Sequence, residues 1–391
     1  MRYSLASLLG LLCINAQANV IQYFTGISYS NPAELFTIKK NEFLIGGTGF
    51  HTNARFQGTV LNFNNGQYGQ GTSYSRTTSF LPYGRLATRI NDKAVFSVDV
   101  TQPFHSNLNW GNQSFTRYAA TQTYLTDVEV SPRLSYSITP KFYVGGGLNF
   151  NFLKNNETNW ALPVGPITSA NLVNRTAGFG VGYNLGGYYL INPSNFLGLV
   201  YYSVIKQNTR GSSQLQNSIN NSLAFNFSMP ATSVLSYVHL FSPTWLTNIK
   251  VYYSEWDANQ YAIFRNTSAP PPLNQDFSFT MRFKKSLAYL AAVRHQWNKS
   301  LGITAVGMLD NGPERDEFRT INFPADTQYF LGLVADYHFN EQTSIELLYG
   351  YGFSKTIMDN HIDMNNQTIP FTTGRVRIYA NVVDLKLKIQ V

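Results

Sequence analysis

Strict alternation between apolar and polar or small side chains constrains this chain more than any other feature. Three runs show it most clearly: Phe277, Phe279, Met281 and Phe283; Leu331, Leu333, Ala335, Tyr337 and Phe339; and Ile345, Leu347, Tyr349, Tyr351 and Phe353. A period of two sends successive side chains to opposite faces, so each run predicts a β-strand with one apolar face. Trp297–Ser300 and Asn340–Thr343 are tight turns, whereas 310–325 is long and polar. Short turns at one end and long loops at the other, with aromatic residues along the strands, indicate a transmembrane β-barrel.

Applied along the whole chain, the pattern predicts an all-β fold, an antiparallel barrel of about fourteen strands. Six short turns and seven long connections join these strands and place both termini on the short-turn side. In the last strand the apolar phase changes between Val382 and Val383, which predicts a β-bulge. A soluble β-sandwich or propeller is the alternative, but the predicted strands are long for either. The predicted strands are 42–56, 80–91, 93–103, 124–138, 141–154, 173–191, 195–209, 222–240, 245–257, 277–297, 299–309, 326–339, 342–354 and 374–391.

The first eighteen residues have the form of a secretory signal peptide. Arg2 supplies the positive end, residues 5–14 the apolar segment, and Ala16-Gln17-Ala18 a small-x-small cleavage site. The chain has a single cysteine, Cys13. Because Cys13 lies in this segment, we expect neither disulfides nor thiolate-bound metal in the mature chain.

Composition excludes other classes of protein. No apolar run approaches the roughly 20 residues that a spanning helix needs, whereas a barrel exposes only alternate residues to lipid. The formal net charge is +8, but the sequence holds no run of Lys and Arg, so we expect no nucleic-acid partner. The histidines lack the spacing of a metal site, and no nucleophile stands beside an obvious base. We therefore expect no enzyme activity, no cofactor and no metal.

Several motifs carry a resemblance to a known family. Asn31-Pro32-Ala33 lies near the start, a hairpin follows over 130–149 with a Ser-Pro and a Gly-x-Gly-x-Asn element, and Phe283-Lys284 comes later. The block 310–330 contains Glu314, Arg315, Asp316, Arg319, Pro324 and Asp326 in an Arg…Pro-x-Asp arrangement. In this order the motifs resemble the FadL-type long-chain fatty-acid transporters of bacterial outer membranes, over most of the mature sequence.

The resemblance implies a fourteen-stranded barrel plugged by its own N-terminal hatch, whose signature would be Asn31, Pro32 and Ala33. The implied domains are a signal peptide at 1–18, a short hatch at 19–40 and the barrel at 41–391. It also implies passive uptake of long-chain fatty acids or similar hydrophobic compounds, captured by the loops and released through a shift of the hatch or a kink in a strand. The expected partners are such a compound, outer-membrane lipid and lipopolysaccharide, with the protein acting as a monomer.

Basic residues are the candidates for binding a fatty-acid head group. Lys284 lies on the polar face of its predicted strand together with Arg282, where a cation in the lumen would bind a carboxylate. The alternative for Lys284 is a solvated position at the barrel rim or a contact with lipopolysaccharide phosphate. Lys154 stands about where relatives carry a ligand-associated basic residue, although its phase matches that of outward residues. Asp310, Arg315, Arg319 and Asp326 are expected to form a polar network of the loop and wall rather than a ligand site.

Two other functions stay open at this stage. A general or anion-preferring porin would need facing rows of charges in its lumen, whereas the expected inward residues carry few. An adhesin or an outer-membrane lipase would act through its loops. Of the three, the sequence favours the transporter of hydrophobic compounds.

Overall fold

A computed structural model describes residues 27–165, 168–270, 275–324, 326–364 and 367–391. The predicted signal peptide and the predicted hatch up to residue 26 lie outside these residues. Within the described part of the chain, no helix is long and apolar enough to cross a membrane.

One antiparallel sheet closes on itself, because β1 pairs along its length with β2 on one side and β19 on the other. A short 3-10 helix, Pro32–Thr37, precedes it and lies inside the barrel. The strands are β1 (Glu42–Leu61), β2 (Tyr68–Arg89), β3 (Ala94–Thr101), β4 (His105–Asn109), β5 (Gln122–Thr139), β6 (Phe142–Pro163), β7 (Ser169–Asn192), β8 (Asn195–Tyr202), β9 (Ile205–Leu215), β10 (Ser218–Met229), β11 (Thr232–Leu240), β12 (Trp245–Ser254), β13 (Tyr261–Arg265), β14 (Phe277–Thr280), β15 (Ser286–Gln296), β16 (Leu301–Asp310), β17 (Gln328–His338), β18 (Thr343–Met364) and β19 (Gln367–Gln390).

These elements make fourteen wall strands, as the sequence predicts, since five wall strands are each interrupted once. The pairs that continue one another are β3 with β4, β8 with β9, β10 with β11, β12 with β13, and β14 with β15. The predicted continuous strand 277–297 was therefore wrong at its centre. Arg282 adopts a positive φ of 43°, and the ladder stops at Thr280 and resumes at Ser286.

The lipid-facing side of the wall is largely apolar, whereas the lumenal side carries both apolar and polar residues. On β17, Leu331 and Leu333 are 64% and 60% exposed and face the lipid, whereas Phe330 and Val334 are buried in the lumen. The largest lumenal cluster packs wall residues such as Phe50, Tyr202, Tyr252 and Leu290 against Tyr29 of the N-terminal segment, among others. A lumen of this kind is a packed core rather than an open aqueous channel.

The predicted β-bulge at Val382 was also wrong. The register of β19 with β1 and β18 runs without interruption through Val382 and Val383. Val382 is fully buried in the lumen, while Val383 is exposed to lipid. The apparent change of phase arises because apolar side chains line both faces.

All six predicted tight turns are confirmed, but most of the predicted long loops are strands. The predicted loop 57–79 is reduced to 62–67, because β1 and β2 pair as far as Leu61 and Tyr68. The predicted loop 210–221 shortens to 216–217 in the same way. Beyond the bilayer both faces of a strand can be polar, so the alternation disappears although the ladder continues. The long connections that persist are 110–121, 266–276 and 311–327.

Candidate binding cavity

The Asn31-Pro32-Ala33 motif docks the N-terminal segment against the inner wall. The Asn31 side chain caps the 3-10 helix by accepting a hydrogen bond from the Ala33 amide at 3.0 Å. Its Nδ2 donates to the carbonyl oxygens of Gly187 on β7, at 3.0 Å, and of Leu199 on β8, at 3.3 Å. One side chain thus caps the helix and also ties it to two neighbouring strands.

Glycines in the wall make this close approach possible. A Cβ atom at Gly186 would overlap the Oδ1 atom of Asn31, and one at Gly145 would lie 2.5 Å from the Ala33 amide nitrogen. A wall with side chains at these positions would hold the motif away from the strands. The two glycines thus form the seat of the N-terminal segment, which is the predicted hatch.

A buried ion network holds the residue before the motif. Arg85 donates two hydrogen bonds of 2.7 Å to Asp99, and Arg133 pairs with the same carboxylate at 3.1 Å. Both guanidinium groups also donate to the Ser30 hydroxyl, and the Tyr202 hydroxyl donates to the Ser30 carbonyl at 2.6 Å. The two arginines share one carboxylate in a desolvated lumen, so the hatch is bound by charge-assisted contacts as well as by packing.

Between the hatch and the loops lies a cavity with an apolar lining. Its empty space is about 1360 Å³, including the part that is open to solvent. Phe104 and Phe283 both meet Trp256 edge to face, with ring centroids 6.1 Å apart in each pair. The aromatic residues that line the cavity are Phe50, Phe104, Phe227, Trp256, Phe283 and Phe323. Such a site suits a hydrophobic small molecule.

The described Asp, Glu, Lys and Arg residues that line the cavity are all acidic. Asp310 and Glu314 line it, with His105 nearby in the lining, and no lysine or arginine is found among its described lining residues. A buried carboxylate of a ligand would therefore meet other carboxyl groups instead of a cation.

The wall beside the cavity is weakened where β3 ends. β2 pairs with β3 only from Gly84 to Arg89, and within the described chain no backbone ladder joins β2 to β4. Side chains bridge the two strands instead: Thr77 donates to the Asn107 carbonyl at 2.8 Å, and the Asn107 amide donates to Ser79 at 3.2 Å. Because Ser79 and Asn107 also line the cavity, only side-chain contacts separate the cavity from the outside here.

An acidic carboxylate stabilises this break. The Phe104 amide, which has lost its place in the ladder, donates to Asp127 Oδ1 at 2.7 Å. Asn151 donates to the other oxygen of the same carboxylate at 2.6 Å. Asp127 therefore satisfies the backbone amide that the break in the strand leaves without a ladder partner.

Loop 311–327 closes the barrel at the opposite end from the hatch. Arg319 is 1% exposed and pairs with Glu314 at 3.1 Å, with Asp316, and with Asp326 at 3.4 Å. Burial raises the pKa of the Glu314 carboxyl well above its usual range, although the Arg319 guanidinium opposes the shift. The Trp110 indole of the neighbouring loop donates to the Ile321 carbonyl at 3.0 Å. The two loops thus form a packed lid.

The predicted loop network is brought together only in part. Arg319 and Asp326 are in contact as described above. Arg315 is exposed and donates to the Arg282 carbonyl at 3.1 Å, while Asp310 lines the cavity. Neither belongs to the cluster around Arg319.

The predicted head-group ligands lie on the outer surface. Lys284, Arg282 and Lys154 are all exposed, and none lines the cavity. Arg282 places its guanidinium 5.0 Å from the centre of the Phe318 ring. Their binding of a carboxylate stays a prediction, to which the geometry of the cavity adds no support.

Sequence reasoning missed most residues of the cavity. Phe104, Trp256 and the Arg85–Asp99 pair received no role, although Asp99 falls on the polar face of its strand. The sequence signal for these residues is a charged or aromatic side chain on the inward-facing side of a strand. Inward-facing and outward-facing positions can be distinguished only when the register of the whole barrel is known.

The closed barrel, the internal plug and the apolar cavity together define a class, the transmembrane barrels that enclose a path for hydrophobic molecules. Residues 16–389 match the model of the family described as "Outer membrane protein transport protein (OMPP1/FadL/TodX)". The chain belongs to this family of outer-membrane transporters, which confirms the resemblance found in the sequence.

Individual relatives are consistent with the family assignment. The chain is similar to a long-chain fatty acid transport protein of Escherichia coli O6:H1, with 21% identity over 340 residues that cover 76% of this chain and 72% of the relative. Its fold is similar to that of a Pseudomonas aeruginosa FadL homologue, with a TM-score of 0.82, 16% identity and 93% of each chain covered. It is also similar to the Pseudomonas putida toluene transporter TodX, with a TM-score of 0.71, 14% identity and coverage of 96% and 99%.

Proposed function

We propose that this protein is a passive transporter that admits a neutral hydrophobic compound to its lumenal cavity and releases it sideways through the wall between β2 and β4. The single observation that carries the proposal is the apolar cavity lying directly behind a stretch of wall without a backbone ladder. An apolar path is sufficient for such a molecule, since water and the polar head-group layer are poor solvents for it. Neither an energy source nor bond chemistry is required.

The lining of the cavity favours a neutral compound over a fatty-acid anion. Burying a carboxylate without a cation is costly, and no lysine or arginine among the described lining residues offsets that cost. The six aromatic side chains offer favourable ring contacts, each worth about 0.5–1.5 kcal/mol. The relatives of this chain include both a long-chain fatty acid transport protein and a toluene transporter. We propose that the substrate of this chain is a neutral hydrophobic compound such as toluene, or a fatty acid in its protonated form.

The exit route follows from the way the wall is held. Separating two strands joined by a ladder breaks many backbone hydrogen bonds, each with a net value of about 1 kcal/mol. Between β2 and β4 a few side-chain contacts, those of Ser75, Thr77 and Ser79 with Asn107 and Asn109, are sufficient to close the wall. This stretch therefore opens at a lower cost than a wall segment joined by a continuous ladder.

A reversible crosslink tests the exit. S79C/N107C places a disulfide across the break, and uptake of toluene into proteoliposomes is compared before and after oxidation, then after reduction. We expect oxidation to lower uptake at least severalfold and reduction to restore it. Full uptake by the oxidised protein would contradict the sideways exit.

The matched control is T304C/V334C. Thr304 and Val334 are directly opposite one another on β16 and β17, where the ladder is continuous. Oxidising this pair should leave uptake unchanged. A loss of uptake in the control as well would mean that any added crosslink disables the barrel.

Substrate class is tested by competition. Toluene and oleate compete with a fluorescent neutral probe for the purified barrel, and we expect toluene to displace it and oleate to do so weakly at neutral pH. Tighter binding of oleate than of neutral compounds would instead favour the head-group role of Lys284 or Lys154.

The other sequence-based predictions enter the proposal unchanged. We propose cleavage after Ala18, a hatch that begins near Asn19, and a monomer surrounded by outer-membrane lipid. The plugged lumen should pass almost no current in a planar bilayer, whereas a porin would conduct.

A further inference from the structure

Five cations from four adjacent strands form one patch on the outer face of the barrel. This basic patch consists of Arg55 on β1, Arg76 on β2, Lys355 on β18, and Arg375 and Arg377 on β19. All five side chains point outward, and all except the half-buried Arg55 are exposed. They are distant in sequence, so only the closure of the barrel between β1 and β19 brings them together.

The register sets like charges side by side. Arg377 is directly opposite Arg55 on one side and directly opposite Lys355 on the other. Directly paired residues on one face have Cβ atoms about 4.5–5.5 Å apart, and like charges in such pairs are destabilising. Arg375 adds a further charge two residues along the same strand.

No ion pair within the described protein neutralises these charges. No carboxylate of the described residues lies within ion-pair distance of any member of the patch. The nearest outward carboxylate, Asp359, is a diagonal neighbour of Arg375, about 7–8 Å away across the β18–β19 ladder. Arg55 and Arg76 both approach the ring of Tyr74, at 5.9 and 5.7 Å from its centre. The ring helps to hold the two side chains in place but does not neutralise them.

Aromatic residues on the same strands indicate the level of the membrane at which the basic patch lies. Tyr379 and Phe353 are exposed, directly opposite one another, and each is two residues from a cation of the patch towards the membrane centre. Tyr329 stacks on Phe353 with centroids 5.0 Å apart. Aromatic girdles mark the interfaces of outer-membrane barrels, so the basic patch lies one outward side chain beyond the girdle, about 5–7 Å along the wall. That is the level of lipid head groups on the loop side.

We propose that the basic patch binds the phosphate groups of a phosphorylated glycolipid in the outer leaflet of the membrane. The proposal rests on the outer-membrane placement contained in the proposed function. Arginine forms paired hydrogen bonds with phosphate, and a dianionic group between Arg55, Arg377 and Lys355 removes their mutual repulsion. A second copy of this chain is not the occupant, because a twofold contact here would bring the same cations together.

Lipid binding by two charge-matched variants tests the site. The mature barrel in non-ionic detergent is titrated by native mass spectrometry with bis-phosphorylated lipid A, its dephosphorylated form, and inorganic phosphate. R55Q/R377Q removes the centre of the patch. K206Q/R210Q is the control, because Lys206 and Arg210 are also outward and exposed but lie four residues apart on β9.

We expect R55Q/R377Q to bind lipid A about tenfold or more weakly than wild type, the loss expected for a charge-assisted hydrogen bond, and K206Q/R210Q to bind as wild type does. Lipid A should also raise the unfolding temperature of wild type more than that of R55Q/R377Q. Equal binding by the two variants, or equal retention of dephosphorylated lipid A, would overturn the proposal. Equal protection by inorganic phosphate would show a simple anion site and overturn the lipid assignment.

Transport separates this proposal from the proposed function. Toluene uptake by R55Q/R377Q should match that of wild type, because the patch is outside the cavity. If wild type binds lipid A through the patch but takes up no toluene, the lipid site stands and the transport proposal fails.

Discussion

The seat of the hatch can be tested by adding one methyl group. In Gly186→Ala the new Cβ would overlap Asn31 Oδ1, so the Asn31 side chain must leave its position. It would lose its hydrogen bonds to the carbonyls of Gly187 and Leu199 and its cap on the Ala33 amide. At about 1 kcal/mol net for each of three bonds, the docked state should weaken by about 3 kcal/mol, or roughly two orders of magnitude in the undocked population.

The adjacent glycine provides a matched control. In Gly187→Ala the added Cβ would meet only the Phe142 ring, at 3.8 Å, which is ordinary van der Waals contact. The same chemical change at the next position should therefore leave the hatch docked.

Cysteine labelling measures the undocked population. Leu35 is 3% exposed against the wall, so L35C should react with a water-soluble maleimide only when the hatch leaves its seat. In the mature chain no native cysteine is expected to compete. We expect labelling of L35C to be about 100-fold faster with Gly186→Ala and unchanged with Gly187→Ala. Equal labelling rates in the two backgrounds would show that the close approach of Asn31 to Gly186 does not hold the N-terminal segment in place.

Three further changes test the buried ion network, the loop lid and the cavity. Asp99→Asn should destabilise the barrel by about 3–5 kcal/mol, because it leaves two buried arginines without their carboxylate; an unchanged urea midpoint would contradict this. Arg319→Met should expose loop 311–327 to protease in the folded barrel, since the carboxylates around it lose their buried partner; cleavage no faster than in wild type would count against the lid. Ala380→Trp should fill part of the cavity and lower toluene uptake severalfold, whereas Ala305→Trp on the lipid face should not; equal uptake by both would remove the cavity from the path.

Much of the fold could be predicted because a membrane wall imposes a simple pattern. Outward residues such as Leu331 and Leu333 must be apolar in every strand, so the alternation identified all fourteen wall strands. The interruption at 281–285 escaped detection because Met281 and Phe283 keep the period of two while the backbone leaves the ladder at Arg282. Loop-side extensions of β1 and β2 were missed because strands beyond the lipid need no apolar face.

The cavity and the ion networks depend on contacts across the lumen. Phe104, Trp256 and Phe283 are distant in sequence, and their meeting depends on three separate interruptions of the wall. Lys284 could not be placed from the alternation alone, because in this run the apolar residues Met281 and Phe283 line the cavity whereas the basic residues are exposed. The resemblance drew attention to Asn31 as part of the predicted hatch motif, and in the structure this side chain donates hydrogen bonds to two strands.

The cavity inside the barrel should take up a neutral hydrophobic molecule. Crystals of the protein soaked with 1-bromododecane and measured at the bromine absorption edge would locate such a molecule. We expect an anomalous peak within van der Waals distance of Phe104, Trp256 and Phe283, which is weakened in Ala380→Trp. Bromine found only on the lipid-facing surface, with none in the cavity, would contradict this expectation.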